Sequence, residues 1–121
     1  MVIGIGCDIV EISRIKNSIK KFGDKFLNKI FTPKEIDYCK SRARSEQHFA
    51  GRFAAKEAIA KALYQLGIES IDWQNIEVIN SPKGVPQVKI LNISLDKDID
   101  IKLSISHSNE NAIAYAIIQK L

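Results

Sequence analysis

The 121-residue sequence predicts an α+β fold: a largely antiparallel sheet packed against one long helix and shorter N-terminal helices. Three observations lead there. After one strand, helical periodicity runs from Ile12 to Gly67. Strand-like runs of isoleucine, valine and leucine then fill the second half. Strands and helices never alternate, which argues against a doubly wound parallel sheet. No linker, repeat or low-complexity tract interrupts the chain, so residues 1–121 read as one domain.

Val2 to Val10 is a short apolar run rich in β-branched residues, and it reads as a buried strand. Ile12, Ile15, Ile19 and Phe22 then share one helical face, with Arg14, Lys16, Lys20 and Lys21 elsewhere, and Gly23 ends the helix. Asp24 is placed to cap a short helix through about Ile30. Thr32-Pro-Lys-Glu35 is a capping box with proline at the first helical position, opening a helix over Pro33 to Lys40. A polar joint, Ser41 to Ser45, leads into a long helix from about Glu46 to Leu66, closed by Gly67. Strands are predicted at Ile76–Ile79, Val85–Leu91, Ile101–Ile105 and Ala112–Ile118. Turns lie at Asn80–Gly84 and Ser108–Asn111, and the second is short enough for an antiparallel hairpin.

Composition bounds the chemistry. Hydrophobic residues make up 45% and charged residues 26%, as in ordinary globular proteins. No apolar run approaches the ~20 residues of a membrane span. The N-terminus lacks a basic region and meets Asp8 too soon for a signal peptide, so a cytoplasmic protein is expected. Cys7 and Cys39 have neither metal spacing nor a disulfide pattern, and read as small buried thiols. A net charge of +4 favours an anionic partner: nucleic acid, a phosphorylated small molecule or an acidic protein.

The long helix carries Arg52, Lys56, Glu57 and Lys61 where a core helix should be apolar. Phe49, Phe53, Glu57 and Lys61 recur at i, i+4 spacing, so a charged site at the edge of a phenylalanine wall competes with an exposed Glu57–Lys61 pair. Beside that row run Ala50, Ala54, Ala58 and Ala62, which would admit another backbone at close range. Gly4-Ile-Gly6 resembles the start of a dinucleotide fingerprint, but Ile9 takes the third glycine's place and no GxxxxGK[ST] loop exists. Asp8 is unusual inside a strand. It fits a capping box with Glu11, or it is a metal ligand. Mg²⁺ takes one or two protein carboxylates and accepts phosphate oxygens, so Asp8 with Glu57 would suffice if strand and helix adjoin. In Ser104-Ile-Ser-His107-Ser108 the three serines fall on one strand face and His107 on the other. Ser106 and His107 therefore diverge, which disfavours a nucleophilic pair. His48 has no such company and reads as structural. The Asn80–Pro86 turn presents Lys83 and the backbone of Gly84, a plain hairpin connection or a phosphate contact.

Together Gly6-Cys-Asp8 with Arg14-Ile15, then Arg52-Phe-Ala-Ala-Lys-Glu57-Ala-Ile-Ala-Lys61, then Ser104-Ile-Ser-His107 resemble the holo-(acyl-carrier-protein) synthases, small bacterial-type 4′-phosphopantetheinyl transferases. The motifs keep the family's order and span residues 4 to 108. The resemblance implies the 4′-phosphopantetheinyl transferase fold. It also implies transfer of the phosphopantetheine arm of coenzyme A to a serine of apo acyl carrier protein, in support of fatty acid biosynthesis. Adenosine 3′,5′-bisphosphate would be released. By the same resemblance Asp8 and Glu57 hold Mg²⁺, and Lys61 is the cation at the reacting pyrophosphate. Arg52, Lys83, Gly84, Ser104, Ser106 and His107 hold coenzyme A. Arg14, with Lys20 and Lys21 on its basic helix, meets the acidic carrier protein. A homotrimer with sites between protomers is implied as well. Two positions depart from the pattern: Val85 stands where a basic residue is more usual, and Ser108 follows His107 in place of threonine.

Pyrophosphate chemistry agrees, because attack on phosphorus demands charge neutralisation more than covalent help. The acceptor hydroxyl must lose a proton, and Glu57 or a water beside it is the candidate base. Three rivals compete. A nucleic-acid-binding module is disfavoured because aromatics, at 7%, do not cluster with the basic residues. A Mg²⁺-dependent pyrophosphatase would use the same carboxylates with water as acceptor. An idle scaffold subunit would use none of them.

Overall fold

The computed structural model describes residues 1–121. In chain order the elements are β1 (Val2–Glu11), α1 (Ile12–Phe22), α2 (Asp24–Ile30), α3 (Pro33–Lys40) and α4 (Ser45–Tyr64). A 3₁₀ turn (Trp73–Asn75) follows, then β2 (Ile76–Asn80), β3 (Pro86–Ile90), β4 (Ile99–His107) and β5 (Asn111–Lys120). All strand pairs are antiparallel. The strands divide into a three-stranded sheet in the order β1-β5-β4 and a separate β2-β3 hairpin. The α+β expectation holds, with two sheets in place of one.

Local chemistry sets the element ends. Gly23 (φ 56°) closes α1, its N–H donating to the Ile19 carbonyl at 2.7 Å. Gly23, not Asp24, holds the N-cap position of α2. The capping box of α3 is complete: Glu35 N–H donates to Thr32 Oγ1 at 3.3 Å, and Thr32 N–H to Glu35 Oε1 at 2.8 Å. Gly67 (φ 87°) ends the turn after α4, where a β-carbon would be strained. The β4–β5 turn is tied by Ser108, whose N–H donates to the Asn111 carbonyl at 2.8 Å and whose Oγ accepts from Asn111 N–H at 3.2 Å.

Helix α4 is the centre of the core. The alanine row 50, 54, 58, 62 is fully buried, and β1 lies against it. A β-carbon on Gly4 would come within 2.8 Å of the Ala62 carbonyl oxygen, and one on Gly6 would overlap that of Ala58. The Gly4-Ile-Gly6 spacing is therefore a packing device between strand and helix. On β5, Ala112, Ala114, Ala116 and Ile118 complete the inner face.

Strand β1 is not buried on both faces. Alternate residues point away from α4, leaving Ile5 56% and Ile9 63% exposed beside Tyr115 at 51%. Cys7, expected inside, is exposed in that same outward set; Cys39 is buried, and burial pushes its thiol up to about 12. Phe22, expected on the buried face of α1, is exposed near the end of that helix with the Lys21 ammonium over its ring.

Candidate active site

The crossing of β1 and α4 assembles the first group of residues. Asp8 sits in mid-strand opposite Ala114 and does not cap α1, whose N-cap residue is Glu11. The even-numbered side of β1 faces α4, so Asp8 is directed to the helix edge that bears Lys61. The Lys61 ammonium lies 3.4 Å from Asp8 Oδ1 and donates to the Cys7 carbonyl at 3.0 Å. One turn on, Gln65 Oε1 accepts the Ile5 N–H at 2.9 Å. β1 is an edge strand, and α4 side chains satisfy its free edge.

Glu57 and Lys61 form no ion pair with each other. The i, i+4 row advances about 40° per step and winds round the helix. Phe49 thus packs on Phe31 with ring centroids 5.1 Å apart, and Phe53 stacks on Trp73 at 5.2 Å. The row is no continuous wall. Burial raises the pKa of the Glu57 carboxyl, and the Asp8 charge raises it further; Lys61 and Arg14 oppose the shift. Two carboxylates thus share one field, beside an ammonium and within reach of the basic helix α1. Arg14, Lys16, Lys20 and Lys21 are all exposed there.

Mutual repulsion of two oxygen donors is the condition a hard divalent cation relieves. No three His, Cys, Asp or Glu side chains gather at one point, so such an ion would rest on these two. That suits Mg²⁺, which keeps several waters and takes phosphate oxygens.

Arg52 lies five residues before Glu57, roughly 140° round the helix, and builds a different group. Its guanidinium covers the Tyr38 ring at 4.1 Å from the centroid, and Arg42 approaches the same ring at 4.7 Å. His48 meets that ring edge-on at 5.7 Å. Asn80 Nδ2 donates to Tyr38 Oη at 2.7 Å, and Arg52 Nη2 donates to Asn80 Oδ1 at 3.4 Å. Arg52 is 4% exposed and its Nε has no partner. His48, read from the sequence as without company, shares the Tyr38 ring with Arg52 and Arg42. Its pKa is lowered by burial first, then by Arg52, Arg42 and His107. Nothing in the sequence pairs His48 with His107, because helix α4 and strand β4 meet only in the fold.

The Ser104–Ser108 segment divides as alternation requires. His107 falls on the α4 side, and Ser104 and Ser106 on the outer face. Ser106, His107 and Ser108 nonetheless line one hollow at the strand's end, with Ile9 and Asn111; Ser104 lies outside it. In the hairpin turn, Lys83 is exposed. Gly84 N–H, expected to be free for a ligand, donates to the Ser81 carbonyl at 2.8 Å, because the tight turn closes on itself.

Sequence reasoning missed Lys56 and Glu35. Both are 0% exposed, with Lys56 Nζ 2.7 Å from Glu35 Oε1. Lys56 also donates to the Trp73 carbonyl at 2.8 Å and to that of Ile76, and Glu35 Oε2 accepts Val78 N–H at 2.8 Å. The capping glutamate of α3 is thus also the counter-ion of a buried lysine and an acceptor for β2. Burial pushes the lysine's pKa down, and Glu35 opposes that. One signal was available: Lys56 sits midway between Phe49 and Leu63 on a stripe that repeats about every two turns and whose other members are core residues.

The chain is similar to known proteins over most of its length. The 4′-phosphopantetheinyl transferase superfamily matches residues 4–117. A holo-(acyl-carrier-protein) synthase of Clostridium tetani is 48% identical over 124 residues, covering 98% of this chain and 97% of that one. That of Protochlamydia amoebophila is 49% identical over 90 residues, 74% of each. Among solved structures, the Bacillus anthracis synthase in complex with coenzyme A (3′,5′-ADP) has a TM-score of 0.80 at 35% identity. The alignment covers 100% of this chain and 99% of that one. The Helicobacter pylori synthase in complex with coenzyme A gives 0.81 at 36%, covering 95% and 99%. With its fold, its motif order and its full-length relatives in agreement, the chain belongs to the holo-(acyl-carrier-protein) synthases of the 4′-phosphopantetheinyl transferase superfamily.

Proposed function

We propose that Asp8, Glu57 and Lys61 carry out the family's reaction in this chain, moving phosphopantetheine from coenzyme A to a serine of apo acyl carrier protein. The observation that carries the assignment is their convergence at the β1–α4 crossing, with Lys61 beside Asp8 and the Asp8 charge felt at Glu57. The serine oxygen attacks the phosphorus bearing the pantetheine arm. The new O–P bond replaces the bond to adenosine 3′,5′-bisphosphate, which leaves with the electron pair. Lys61 carries a charge that offsets the gathering negative charge on the pyrophosphate. Glu57, with its raised pKa, is suited to take the serine proton. Asp8 and Glu57 would hold Mg²⁺, which supplies charge neutralisation at phosphate oxygens when bound.

Arg52, Lys83, the Gly84 turn, Ser104, Ser106 and His107 are read as the coenzyme A contacts. Arg52 and His107 lie away from the Asp8 edge of α4, so one copy divides the two halves of such a site. The outward face of β1, β5 and β4 presents Ile5, Ile9, Tyr115 and Ile117 without cover. An uncovered apolar face of this kind marks an interaction surface. Association through it into a homotrimer would bring the catalytic half of one copy to the coenzyme A half of the next. Arg14, Lys20 and Lys21 form the docking face for the acidic carrier protein. The chain has no helix long and apolar enough to cross a membrane, and the role proposed for it is cytoplasmic, in fatty acid biosynthesis.

The direct test mixes the protein with coenzyme A, Mg²⁺ and apo carrier protein and reads the carrier's mass. A phosphopantetheine increment is expected. Coenzyme A cleavage that needs no carrier protein would instead favour the pyrophosphatase.

A further inference from the structure

We propose that His48 is a specificity residue for coenzyme A: it completes a pocket for a phosphate monoester with Arg42, Arg52 and His107, and it takes up a proton when the dianion binds. The inference rests on reading Arg52 and His107 as coenzyme A contacts.

Three basic groups, Arg42 from the joint before α4 and His48 and Arg52 from α4, converge on one aromatic plate, and His107 of β4 stands near them. Tyr38 of α3 is held by Asn80 of β2 at 2.7 Å. Arg42, from the joint before α4, and Arg52, on α4, both approach its ring, and His48 abuts it. Gly51 of α4 lies so close to Ile105 of β4 that a β-carbon there would stand 3.2 Å from its side chain, and His107, two residues on along the same strand face, is thereby brought to the His48 end of the helix. None of the four basic side chains has a carboxylate partner in an ion pair. Arg52 is almost wholly buried and keeps one N–H unpaired. A buried guanidinium with a spare donor, among like charges, lacks an anion.

Coenzyme A offers two kinds of phosphate, and only its monoester carries a second ionisation, at about pH 6. Clustered guanidinium donors suit a dianion. In the free protein burial, then Arg52, Arg42 and His107, lower the pKa of His48, with Tyr38 as its remaining titratable contact. Arrival of two negative charges reverses that field and favours the imidazolium. The proton comes from solvent, and no covalent bond changes.

The linkage has a definite sign. Binding raises the pKa of His48, so its contribution to affinity is complete below the free value and is lost as pH rises through the bound value.

Calorimetric titration of the full-length protein at about pH 7, in buffers of different ionisation enthalpy, counts protons exchanged on binding. Coenzyme A, 3′-dephospho-coenzyme A and inorganic phosphate are the probes, against wild type and His48→Phe. The phenyl ring preserves the stack on Tyr38, and a circular dichroism spectrum matching wild type verifies the fold. Wild type is expected to take up more protons with coenzyme A than His48→Phe does, with no such difference for the dephospho compound. The affinity ratio between the two proteins should narrow from about tenfold at acidic pH towards unity at alkaline pH. His48-dependent proton uptake with inorganic phosphate but not with coenzyme A would overturn the proposal, since the cluster would then hold free phosphate and not the monoester of coenzyme A. Equal proton counts in the two proteins overturn the role of His48 while leaving coenzyme A binding intact. Absence of coenzyme A binding to wild type overturns both this role and the coenzyme A assignment beneath it.

Discussion

At the scale of single residues, burial decides what each charge on α4 does. Lys56 is neutralised and fully hydrogen-bonded, so it braces α3, the 3₁₀ turn and β2 against the helix. Glu57, the next residue, has the opposite condition: it is half-buried, unpaired and close to Asp8. A carboxylate whose pKa is raised by folding costs stability whenever it is ionised. That cost is complete above the raised value and vanishes as pH falls below the ordinary value of 4.5. Glu57→Gln is therefore expected to raise the thermal midpoint at neutral pH, to lose that gain under acid conditions, and to abolish transfer. Differential scanning calorimetry across pH checks the first two, and a lower midpoint at neutral pH would contradict the assigned environment. In Mg²⁺ the wild-type midpoint should rise and that of Glu57→Gln should not.

At the scale of elements, the helix–strand crossing is a lock made from small residues. Gly6→Ala thrusts a methyl group into the Ala58 carbonyl. Overpacking of this kind costs about 1–3 kcal/mol. Urea unfolding measures it, and Val2→Ala, at the exposed start of β1, should cost far less. Much of this level was legible in the sequence. The α3 capping box, the terminating Gly23 and Gly67, the β4–β5 turn and the alanine row are local patterns, and each predicted its element. What was not legible depended on distance along the chain. Division into two sheets depends on pairing strands far apart, and one-sided burial of β1 depends on which face α4 covers. The Lys56–Glu35 pair joins residues 21 positions apart on separate helices, as the residue numbers show. Of the candidate site, a pairing of Asp8 with Glu57 was read from residue type on the condition that strand and helix adjoin, while the role of Lys61 came from the family resemblance. The cluster of Tyr38, Arg42, His48 and Arg52 was not, since only the fold gathers it.

At the scale of the whole molecule, charge and apolar surface are separated. Basic side chains crowd α1, next to the edge proposed for catalysis, while the bare apolar surface lies on the outer face of the three-stranded sheet. In the proposed docking an acidic carrier protein approaching α1 would be steered to the edge where Glu57 and Lys61 lie, and that attraction would weaken with salt. Arg14→Glu is expected to raise KM for carrier protein about tenfold or more and leave KM for coenzyme A nearly unchanged. Steady-state kinetics at low and high salt would show the penalty shrinking as salt rises. Equal effects on both substrates would move the docking face elsewhere. The central claim is that Asp8 and Glu57 form one metal-dependent transfer site with Lys61. It is tested most directly by the mass of apo carrier protein incubated with coenzyme A and either wild type or Asp8→Asn over a range of Mg²⁺. Wild type should add phosphopantetheine only when Mg²⁺ is present, and folded Asp8→Asn should add almost none at any concentration. Near-normal modification by Asp8→Asn, or by wild type without divalent metal, would contradict the assignment.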